Sequence, residues 1–97
     1  MTSASARLTL INKRGLHARA SNKFMACVIQ HNASVRVSSH NDVSSETVEV
    51  EAEGVMDLLL LGAACGEDIT VTAVGPEAEI VVEALTKLVE NRFGEDE

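Results

Sequence analysis

The feature that most constrains how this chain can fold is a hydrophobic period that switches repeatedly between that of a strand and that of a helix. Four segments alternate apolar and polar residues, as a strand with one buried face does: residues 7–12, 33–39, 46–52 and 69–74. Three further segments suit helices: residues 17–32, 53–68 and 75–94. The predicted order is therefore strand, helix, strand, strand, helix, strand, helix.

Residues 40–45, HNDVSS, are rich in turn-forming residues and separate the second and third predicted strands. Two alternating runs joined by so short a polar segment predict a hairpin. Its expected inward-facing residues are Val35, Val37, Val48 and Val50, and its expected solvent-facing residues are Glu49 and Glu51. The order of elements predicts an α+β open-faced sandwich, in which three helices cover one face of a four-stranded antiparallel sheet.

The 97 residues are enough for one domain with a modest core but not for two. We expect a single domain over residues 1–97, with an ordered core over residues 7–93 and a frayed acidic tail at 95–97. The last helix has suitable end signals, with Pro76 near its start and Gly94 after its end. Its predicted buried stripe is Val81, Ala84, Leu85, Leu88 and Val89, and that of the first helix is Ala20, Phe24, Cys27, Val28 and His31.

The composition excludes several classes of binding protein. The chain has a formal net charge of −7, and its only aromatic residues are Phe24 and Phe93. An acidic chain without Trp or Tyr offers no stacking platform to single-stranded nucleic acid and repels a phosphate backbone. The sequence also lacks the long apolar run of a membrane span or signal peptide, so we expect a cytoplasmic protein that binds neither membrane nor nucleic acid.

The spacings of cysteine and histidine do not suggest a metal site. Cys27 and Cys65 lie far apart and are interpreted as two small buried side chains in a reducing compartment, with a disulfide as the alternative. His31 falls at a predicted helix end and His40 in a predicted turn, and neither has the neighbours that a metal site needs. No metal or other cofactor is expected.

One short basic segment is notable in this acidic chain: residues 13–19, KRGLHAR. A helix that begins near His17 leaves its first backbone N–H groups unpaired, and these donors, with the positive end of the helix dipole, favour an anion. Arg19 is close enough to reach the same point, and Gly15 allows a sharp preceding turn. A phosphoryl group suits such a site, and a neutral imidazole has a lone pair that can accept it. The segment predicts a phosphoryl-carrying histidine; a surface histidine that only caps the helix is the alternative.

The segment GLHARASNKF, residues 15–24, resembles the active-site segment of the HPr family, the histidine phosphocarriers of the bacterial phosphoenolpyruvate:sugar phosphotransferase system, with their nitrogen-type paralogues. The likeness extends from Leu8 to Phe93 and includes the block EGVMDLLLLGAACGEDITV and the closing helix. It implies an HPr-like sandwich and a phosphoryl group carried on Nδ1 of His17 with the assistance of Arg19.

The resemblance also implies a relay between proteins. Phospho-enzyme I, charged from phosphoenolpyruvate, would donate the group, and histidines of IIA-type proteins would accept it, in sugar uptake or in nitrogen and carbon regulation. Gly15 and Ala18 would leave room for the close approach that transfer requires. The protein would be a monomeric carrier rather than an enzyme, and a regulatory kinase or transcriptional regulator is a further partner to consider.

Two positions depart from the family pattern. Ala20 stands where many relatives have proline, and we expect this change to retune the site only slightly. Gly54 stands where many HPr proteins have a regulatory serine, so phosphorylation is not expected there. The second departure favours the nitrogen-type branch or a lineage that is controlled elsewhere.

The short apolar helix is the predicted docking surface, because a helix of this kind in an open-faced sandwich cannot bury every side. Leu58 and Leu61 are expected in the core, and partly exposed apolar neighbours with a methionine among them are typical of transient docking. Since the resemblance implies a common face for enzyme I and IIA-type proteins, the expected docking residues are Ser21, Met25, Val55, Met56 and Leu59. Two alternatives are that the whole helix is core, or that the protein is a docking module that carries no phosphoryl group.

Overall fold

The structure, a computed structural model, describes residues 2–40 and 48–95, which form four strands and three α-helices. The strands are β1 (Ser3–Thr9), β2 (Ser34–His40), β3 (Glu49–Glu51) and β4 (Asp68–Val74). The helices are α1 (Ala18–Ile29), α2 (Val55–Leu59) and α3 (Ala78–Glu90), and a short 3₁₀ turn, Arg92–Gly94, follows α3. The types of these elements and their order agree with the prediction from the hydrophobic period.

The four strands form one antiparallel sheet in the order β1-β4-β2-β3. β2 pairs with β3 as the predicted hairpin, with Val37 opposite Val50, and it pairs with β4 on its other side, with Val37 opposite Val71. β1 pairs with the free side of β4, with Leu8 opposite Ile69. Because side chains alternate across a strand, these apolar partners share one face, and the helices cover it.

The core between the sheet and the helices is aliphatic except for the two phenylalanines. Phe24 of α1 and Phe93 of the 3₁₀ turn are fully buried, together with Leu58 of α2 and Leu85 of α3. Each fully buried side chain of this size stabilises the fold by roughly 1.5–3 kcal/mol. The sheet contributes Val35, Val37, Ile69, Val71 and Ala73.

The first strand begins earlier than the alternation predicts. The prediction places it at residues 7–12, whereas β1 spans Ser3–Thr9 and pairs with β4 along its whole length. The side chains of its first half that pack against the core are Ala4 and Ala6. Alanine is too small to mark a buried strand face in a sequence, so the alternation was visible only from Leu8 onward.

The second helix is much shorter than the predicted range of 53–68, because it ends at Leu59 with Leu60 as its C-cap residue. Gly62 then adopts a φ of +61°, in the left-handed region that commonly follows a helix end. The other two helices lie inside their predicted ranges of 17–32 and 75–94. An apolar run therefore indicated the presence of α2 but not its length.

The buried face of α1 is rotated about the helix axis relative to the prediction. Ser21 and Met25 are 0% and 7% exposed, whereas Cys27 and His31 are only half-buried. α1 packs against both α2 and α3, and this arrangement covers a broader and differently placed stripe than the one inferred from spacing. The expectation that the side chains of Ser21 and Met25 lie on an exposed docking face is therefore wrong.

Three smaller expectations about exposure also differ from the structure. Cys65 is exposed rather than buried. His40 is the last residue of β2 and not part of a turn. Val48 is 41% exposed because it precedes the three residues of β3 that pair with β2. Residues 41–47, which hold the rest of the predicted turn, lie outside the described residues.

Candidate functional site

The loop before α1 is fixed by backbone contacts to the loop after α2. The N–H of Leu16 donates to the carbonyl of Ala63 at 3.0 Å, and the N–H of Gly15 closes a turn on the carbonyl of Asn12 at 3.1 Å. Gly15 has a φ of +63°, and a Cβ at this position would lie 2.6 Å from the Ala63 carbonyl oxygen. Both the backbone conformation and the available space therefore require glycine here, and this loop sets the direction in which the chain enters α1.

His17 is the N-cap residue of α1. Its backbone is extended, with φ −79° and ψ −179°, and its carbonyl accepts the first helical hydrogen bond from the N–H of Ser21 at 2.8 Å. Its Nδ1 accepts a hydrogen bond from the backbone N–H of Arg19, with 3.3 Å between the two nitrogens. Because a nitrogen that accepts carries a lone pair, the unprotonated ring nitrogen is Nδ1, at the positive end of α1.

The other ring nitrogen faces a carboxylate that no sequence pattern indicated. Nε2 of His17 lies 2.5 Å from Oε2 of Glu95, and Oε1 of Glu95 accepts a hydrogen bond from Nδ2 of Asn12 at 2.8 Å. The side chains of His17 and Glu95 are 21% and 13% exposed, and Asn12 is fully buried. A neutral His17 ring therefore carries its proton on Nε2 and donates it to Glu95.

The surroundings of Glu95 favour its ionised form. Desolvation opposes ionisation, but the hydrogen bonds from Asn12 and His17 outweigh it, together with the positive charges of Arg14 and, whenever its ring is protonated, of His17. The pKa of the Glu95 carboxyl is therefore lowered from its usual value. The backbone N–H of Glu95 also donates to the carbonyl of Arg92 at 2.9 Å. Glu95 is thus anchored, contrary to the expectation of a frayed tail at 95–97; residues 96–97 lie outside the described part of the chain.

Arg19 and Ala18 are both exposed in the first turn of α1. Within residues 2–40 and 48–95, the guanidinium of Arg19 makes no hydrogen bond or ion pair, so it is able to reach an anion placed at the His17 ring. Ala18 offers only a methyl group and leaves the helix N-terminus open. Gly15 does not contribute open space as expected, because the chain's own backbone at Ala63 occupies it.

A second group of predicted site residues lies on the exposed side of α2. Met56 is 70% exposed, and Leu60, the C-cap residue of α2, is 69% exposed. Val55 and Leu59 are half-buried beside them. Leu58 and Leu61 are in the core, as predicted. The loop that follows carries Ala63, so this surface is connected to the loop before His17. We use the term α2 patch for Val55, Met56, Leu59 and Leu60.

Three residues of these two groups were not among the predicted site residues. Asn12 lies three positions before Gly15, and this spacing indicates a turn that an asparagine side chain stabilises. Leu60 belongs to a run of four leucines, which no single helix face can bury. Glu95 has no comparable local signal, because it is 78 positions away from His17.

Metal or redox chemistry would require other groupings of histidine, cysteine and acidic side chains. Within the described residues, no three His, Cys, Asp or Glu side chains are grouped so that they could hold a metal ion. Cys27 and Cys65 are both free, and burial raises the pKa of the Cys27 thiol, which favours its protonated form. Of the helices in the described part of the chain, none is long and apolar enough to cross a membrane.

Solved structures with this architecture include phosphocarrier proteins. The chain is similar to HPr-C-His from Thermoanaerobacter tengcongensis, with a TM-score of 0.78 and 28% identity over 100% of both chains. It is also similar to the phosphocarrier protein HPr from Bacillus anthracis, with a TM-score of 0.75 and 28% identity, covering 92% of this chain and 99% of that one. These similarities confirm the predicted HPr-like open-faced sandwich.

Sequence relatives agree with the structural ones. Phosphocarrier protein HPr of Cupriavidus necator is 36% identical over 89 residues, which cover 92% of this chain and 93% of the relative. Phosphocarrier protein NPr of Shewanella violacea is 30% identical over 95 residues, 98% of each chain. The family model PTS-HPr, described as PTS HPr component phosphorylation site, matches residues 4–91. This chain therefore belongs to the PTS-HPr family.

Proposed function

We propose that this chain carries a phosphoryl group on Nδ1 of His17, which it receives from phospho-enzyme I and passes to a IIA-type protein. Membership of the PTS-HPr family supports a phosphocarrier role in the phosphotransferase system. The single observation that carries the finer proposal is the orientation of His17, whose unprotonated nitrogen lies at the N-terminus of α1. The protein is then a carrier that is modified and restored in each cycle, rather than an enzyme.

The proposed transfer exchanges one P–N bond for another. The lone pair of Nδ1 attacks the phosphorus atom on the donor histidine, the donor's P–N bond breaks, and its electron pair returns to the donor's ring nitrogen. The new Nδ1–P bond leaves a positive charge on the His17 ring, whose proton stays on Nε2. Transfer to the acceptor histidine repeats this exchange with the roles reversed, so the carrier needs no cofactor for the atoms to balance.

The N-terminus of α1 supplies donors for the bound group. The N–H of Arg19 that caps Nδ1 loses this acceptor when phosphorus takes the lone pair, and a phosphoryl oxygen can replace it. The helix dipole favours an anion at this position by about 0.3–1 kcal/mol. The exposed guanidinium of Arg19 adds a charge-assisted hydrogen bond. These contributions are moderate, which suits a group that must leave again.

The α2 patch is the docking surface in this proposal. An exposed apolar surface that includes a methionine and lies next to the His17 loop is typical of transient protein contact. Enzyme I and IIA-type proteins would cover this patch together with the open end of α1, where Ala18 adds little bulk. Ser21 and Met25 support this surface from inside rather than touching the partner.

The proposed location is the cytoplasm.

The start of α2 bears on how such a carrier is regulated. Gly54, its N-cap residue, has no hydroxyl, so the carrier is not phosphorylated at the place of the regulatory serine. Relatives of both the HPr and the NPr type match this chain. The proposal therefore covers sugar uptake as well as nitrogen and carbon regulation.

The proposal is tested by incubating the protein with phosphoenolpyruvate, magnesium and enzyme I and then measuring its mass. The wild-type protein should gain one phosphoryl group, and this group should be lost in acid, as a P–N bond is. His17→Ala should gain none. His17→Asn is the matched control, because asparagine is a strong N-cap residue but has no ring nitrogen.

The outcomes separate chemistry from folding. His17→Asn should remain folded, with a free energy of unfolding within about 1 kcal/mol of the wild type, and should remain unmodified. This result would assign the loss of phosphorylation to the missing ring nitrogen. A wild-type protein that gains no mass, or His17→Ala gaining as much as the wild type, would contradict the proposal. A docking module that carries no phosphoryl group would then be the better interpretation.

A further inference from the structure

We infer that Glu95 is a positioning residue for His17: it holds the imidazole by Nε2, so that Nδ1 presents its lone pair, and it stabilises the charge that the ring gains on phosphorylation. The inference rests on the proposed function and adds a residue to its site. It is motivated by the 2.5 Å contact between Nε2 of His17 and Oε2 of Glu95. The family match ends at residue 91, so Glu95 lies beyond the matched segment.

Contacts on both nitrogens fix the orientation of the His17 ring. Nδ1 accepts from the N–H of Arg19, and Nε2 donates to Glu95 on the opposite side. If the ring turned by half a revolution about its bond to Cβ, carbon atoms would replace both nitrogens and both hydrogen bonds would be lost. The N-cap contact is long at 3.3 Å, so the contact to Glu95 contributes most to this orientation.

The carboxylate of Glu95 is itself held in place. Asn12, which is fully buried, donates from Nδ2 both to Oε1 of Glu95 and to the carbonyl of Gly15, each at 2.8 Å. In this orientation Oδ1 of Asn12 is buried without a hydrogen-bond partner among the described residues. An unsatisfied buried acceptor is destabilising, so the two contacts that the amide donates, to Gly15 and to Glu95, are what favours this orientation.

The backbone before Glu95 is equally specific. Arg92 and Phe93 have φ values of +53° and +55°, a conformation that residues other than glycine seldom adopt. Phe93 is 1% exposed, and its carbonyl accepts a hydrogen bond from Nζ of Lys23. The left-handed turn therefore places Phe93 in the core and brings the next carboxylate back to the start of α1. A strained conformation persists only where its surroundings enforce it.

The contact has a chemical consequence in the transfer step. When Nδ1 forms its bond to phosphorus, the ring becomes positively charged, and the proton on Nε2 points at an ionised carboxylate. A carboxylate in this position orients a histidine and stabilises its charged form, as the acid of a serine-protease triad does. The carboxylate lies on the far side of the ring from Nδ1, so it does not compete with the phosphoryl group for the nucleophile.

The test compares three substitutions in the full-length chain: Glu95→Ala, Glu95→Gln and, as a matched control, Glu90→Ala. Glu90 is an exposed carboxylate at the last position of α3, so its loss changes the net charge equally. The rate of phosphoryl uptake from phospho-enzyme I should fall about tenfold in Glu95→Ala, as expected for the loss of a hydrogen bond to a charged group. Glu95→Gln keeps an acceptor without the charge and should be intermediate, and Glu90→Ala should match the wild type.

A second readout reports on the ring itself. Proton NMR of protein labelled with ¹⁵N-histidine should show a strongly deshielded Nε2–H signal of His17, because a short hydrogen bond to a carboxylate deshields the proton. This signal should persist in Glu90→Ala and vanish in Glu95→Ala. If Glu95 supported the fold without contacting the ring, the signal would be the same in Glu95→Ala as in the wild type.

The outcomes distinguish this inference from the function on which it rests. A wild-type protein that accepts no phosphoryl group overturns both. Equal uptake rates in the wild type and Glu95→Ala overturn the positioning role alone, and so does a slowed Glu95→Ala whose Nε2–H signal is unchanged. Slow uptake together with the lost signal supports it.

Discussion

The N-termini of α1 and α2 have similar backbones but different side-chain environments. Both N-cap residues are extended, with ψ −179° at His17 and φ −163°, ψ 168° at Gly54. At α1 the cap side chain accepts a hydrogen bond from the first turn, and Glu95 holds its other nitrogen. At α2 no side chain caps the helix. One helix start is fixed from two sides, and the other is left without a side-chain cap.

The helices that follow these two N-cap residues differ in length and in how much of their surface is covered. α1 has 12 residues and packs against both other helices, whereas α2 has five residues and leaves Met56 and Leu60 exposed. In the proposed relay, covalent transfer needs atoms held in fixed positions, and transient docking needs an accessible apolar surface. A domain of 97 residues thus assigns the two requirements to two helices, and the loop before α1 meets the loop after α2 at the contact between Leu16 and Ala63.

Gly15→Ala should have the largest effect, because it disturbs the loop that fixes the start of α1. The added Cβ would lie 2.6 Å from the carbonyl oxygen of Ala63, on a backbone with a φ of +63°. The free energy of unfolding should fall by about 2–4 kcal/mol, the sum of a left-handed penalty and a backbone clash. Urea unfolding of the wild type and the variant measures this change.

Gly62→Ala is the matched control from the loop after α2. Gly62 has nearly the same φ, +61°, but open space where its Cβ would be. Only the left-handed penalty then applies, so the free energy of unfolding should fall by about 1 kcal/mol. Equal losses in the two variants would show that contact with Ala63 does not restrict Gly15.

Met56→Asp tests whether the α2 patch is a docking surface. Met56 is 70% exposed and is the second residue of α2, where a carboxylate suits the helix dipole, so the free energy of unfolding should change by less than about 0.5 kcal/mol. A carboxylate buried without a partner against an apolar surface should raise the apparent KM for phosphoryl uptake from enzyme I about tenfold. Initial rates over a range of carrier concentrations measure this KM.

Ile80→Asp is the control for the same change on another helix. Ile80 is 54% exposed and is the third residue of α3, which packs on α1, β1 and β4. Its substitution should leave the KM unchanged. A comparable rise in KM for both variants would show a general effect of charge and would remove the docking role of the α2 patch.

The fold was predictable to the extent that buried faces consist of large apolar residues. Val35 and Val37 are 5% and 0% exposed, as their alternation predicts. The first half of β1 was missed because its inward side chains, Ala4 and Ala6, give a weak apolar signal. Residue spacing predicts the wrong face of α1 for Ser21 and Met25, since the rotation of a helix depends on which neighbours pack against it.

The candidate site contains one residue whose position follows from its neighbours in the sequence and one that reaches it from a distant part of the chain. The position of His17 at a helix start follows from the sequence around it, because the turn, the cap and the first helical residues are consecutive. Glu95 reaches this ring from 78 positions away, through a turn in which Arg92 and Phe93 are left-handed. Since non-glycine residues rarely take this conformation, no sequence pattern predicts it.

The pH dependence of stability tests whether Glu95 is held in its ionised form. Its pKa is lowered in the folded protein, so its contribution is present above the ordinary value of 4.5 and is lost as the pH falls through the folded pKa. The difference in unfolding free energy between wild type and Glu95→Ala should therefore shrink as the pH falls below about 4.5. It should not exceed about 1 kcal/mol, because the pair lies near the surface.

Urea unfolding at a series of pH values from neutral to acidic gives this difference directly. Asp68, whose pKa is also lowered, by hydrogen bonds from Thr9 and Arg7, is present in both proteins and cancels in the subtraction. A difference that stays constant through the acidic range would show that ionised Glu95 is not stabilised at the start of α1.

Gly54→Ser should have the smallest effect, since it gives α2 the side-chain cap that α1 already has. The backbone at Gly54 is extended, and an added Cβ would meet only Oδ2 of Asp57, at an ordinary 3.7 Å. A serine oxygen can accept from the N–H of Met56 or Asp57, so the free energy of unfolding should rise by a few tenths of a kcal/mol, about 0.3. Gly54→Ala adds the same Cβ without the oxygen and should be less stable than Gly54→Ser by about 1 kcal/mol in urea unfolding. Equal stabilities for the serine and alanine variants would mean that the start of α2 gains nothing from a cap, and that its difference from α1 lies in length and packing alone.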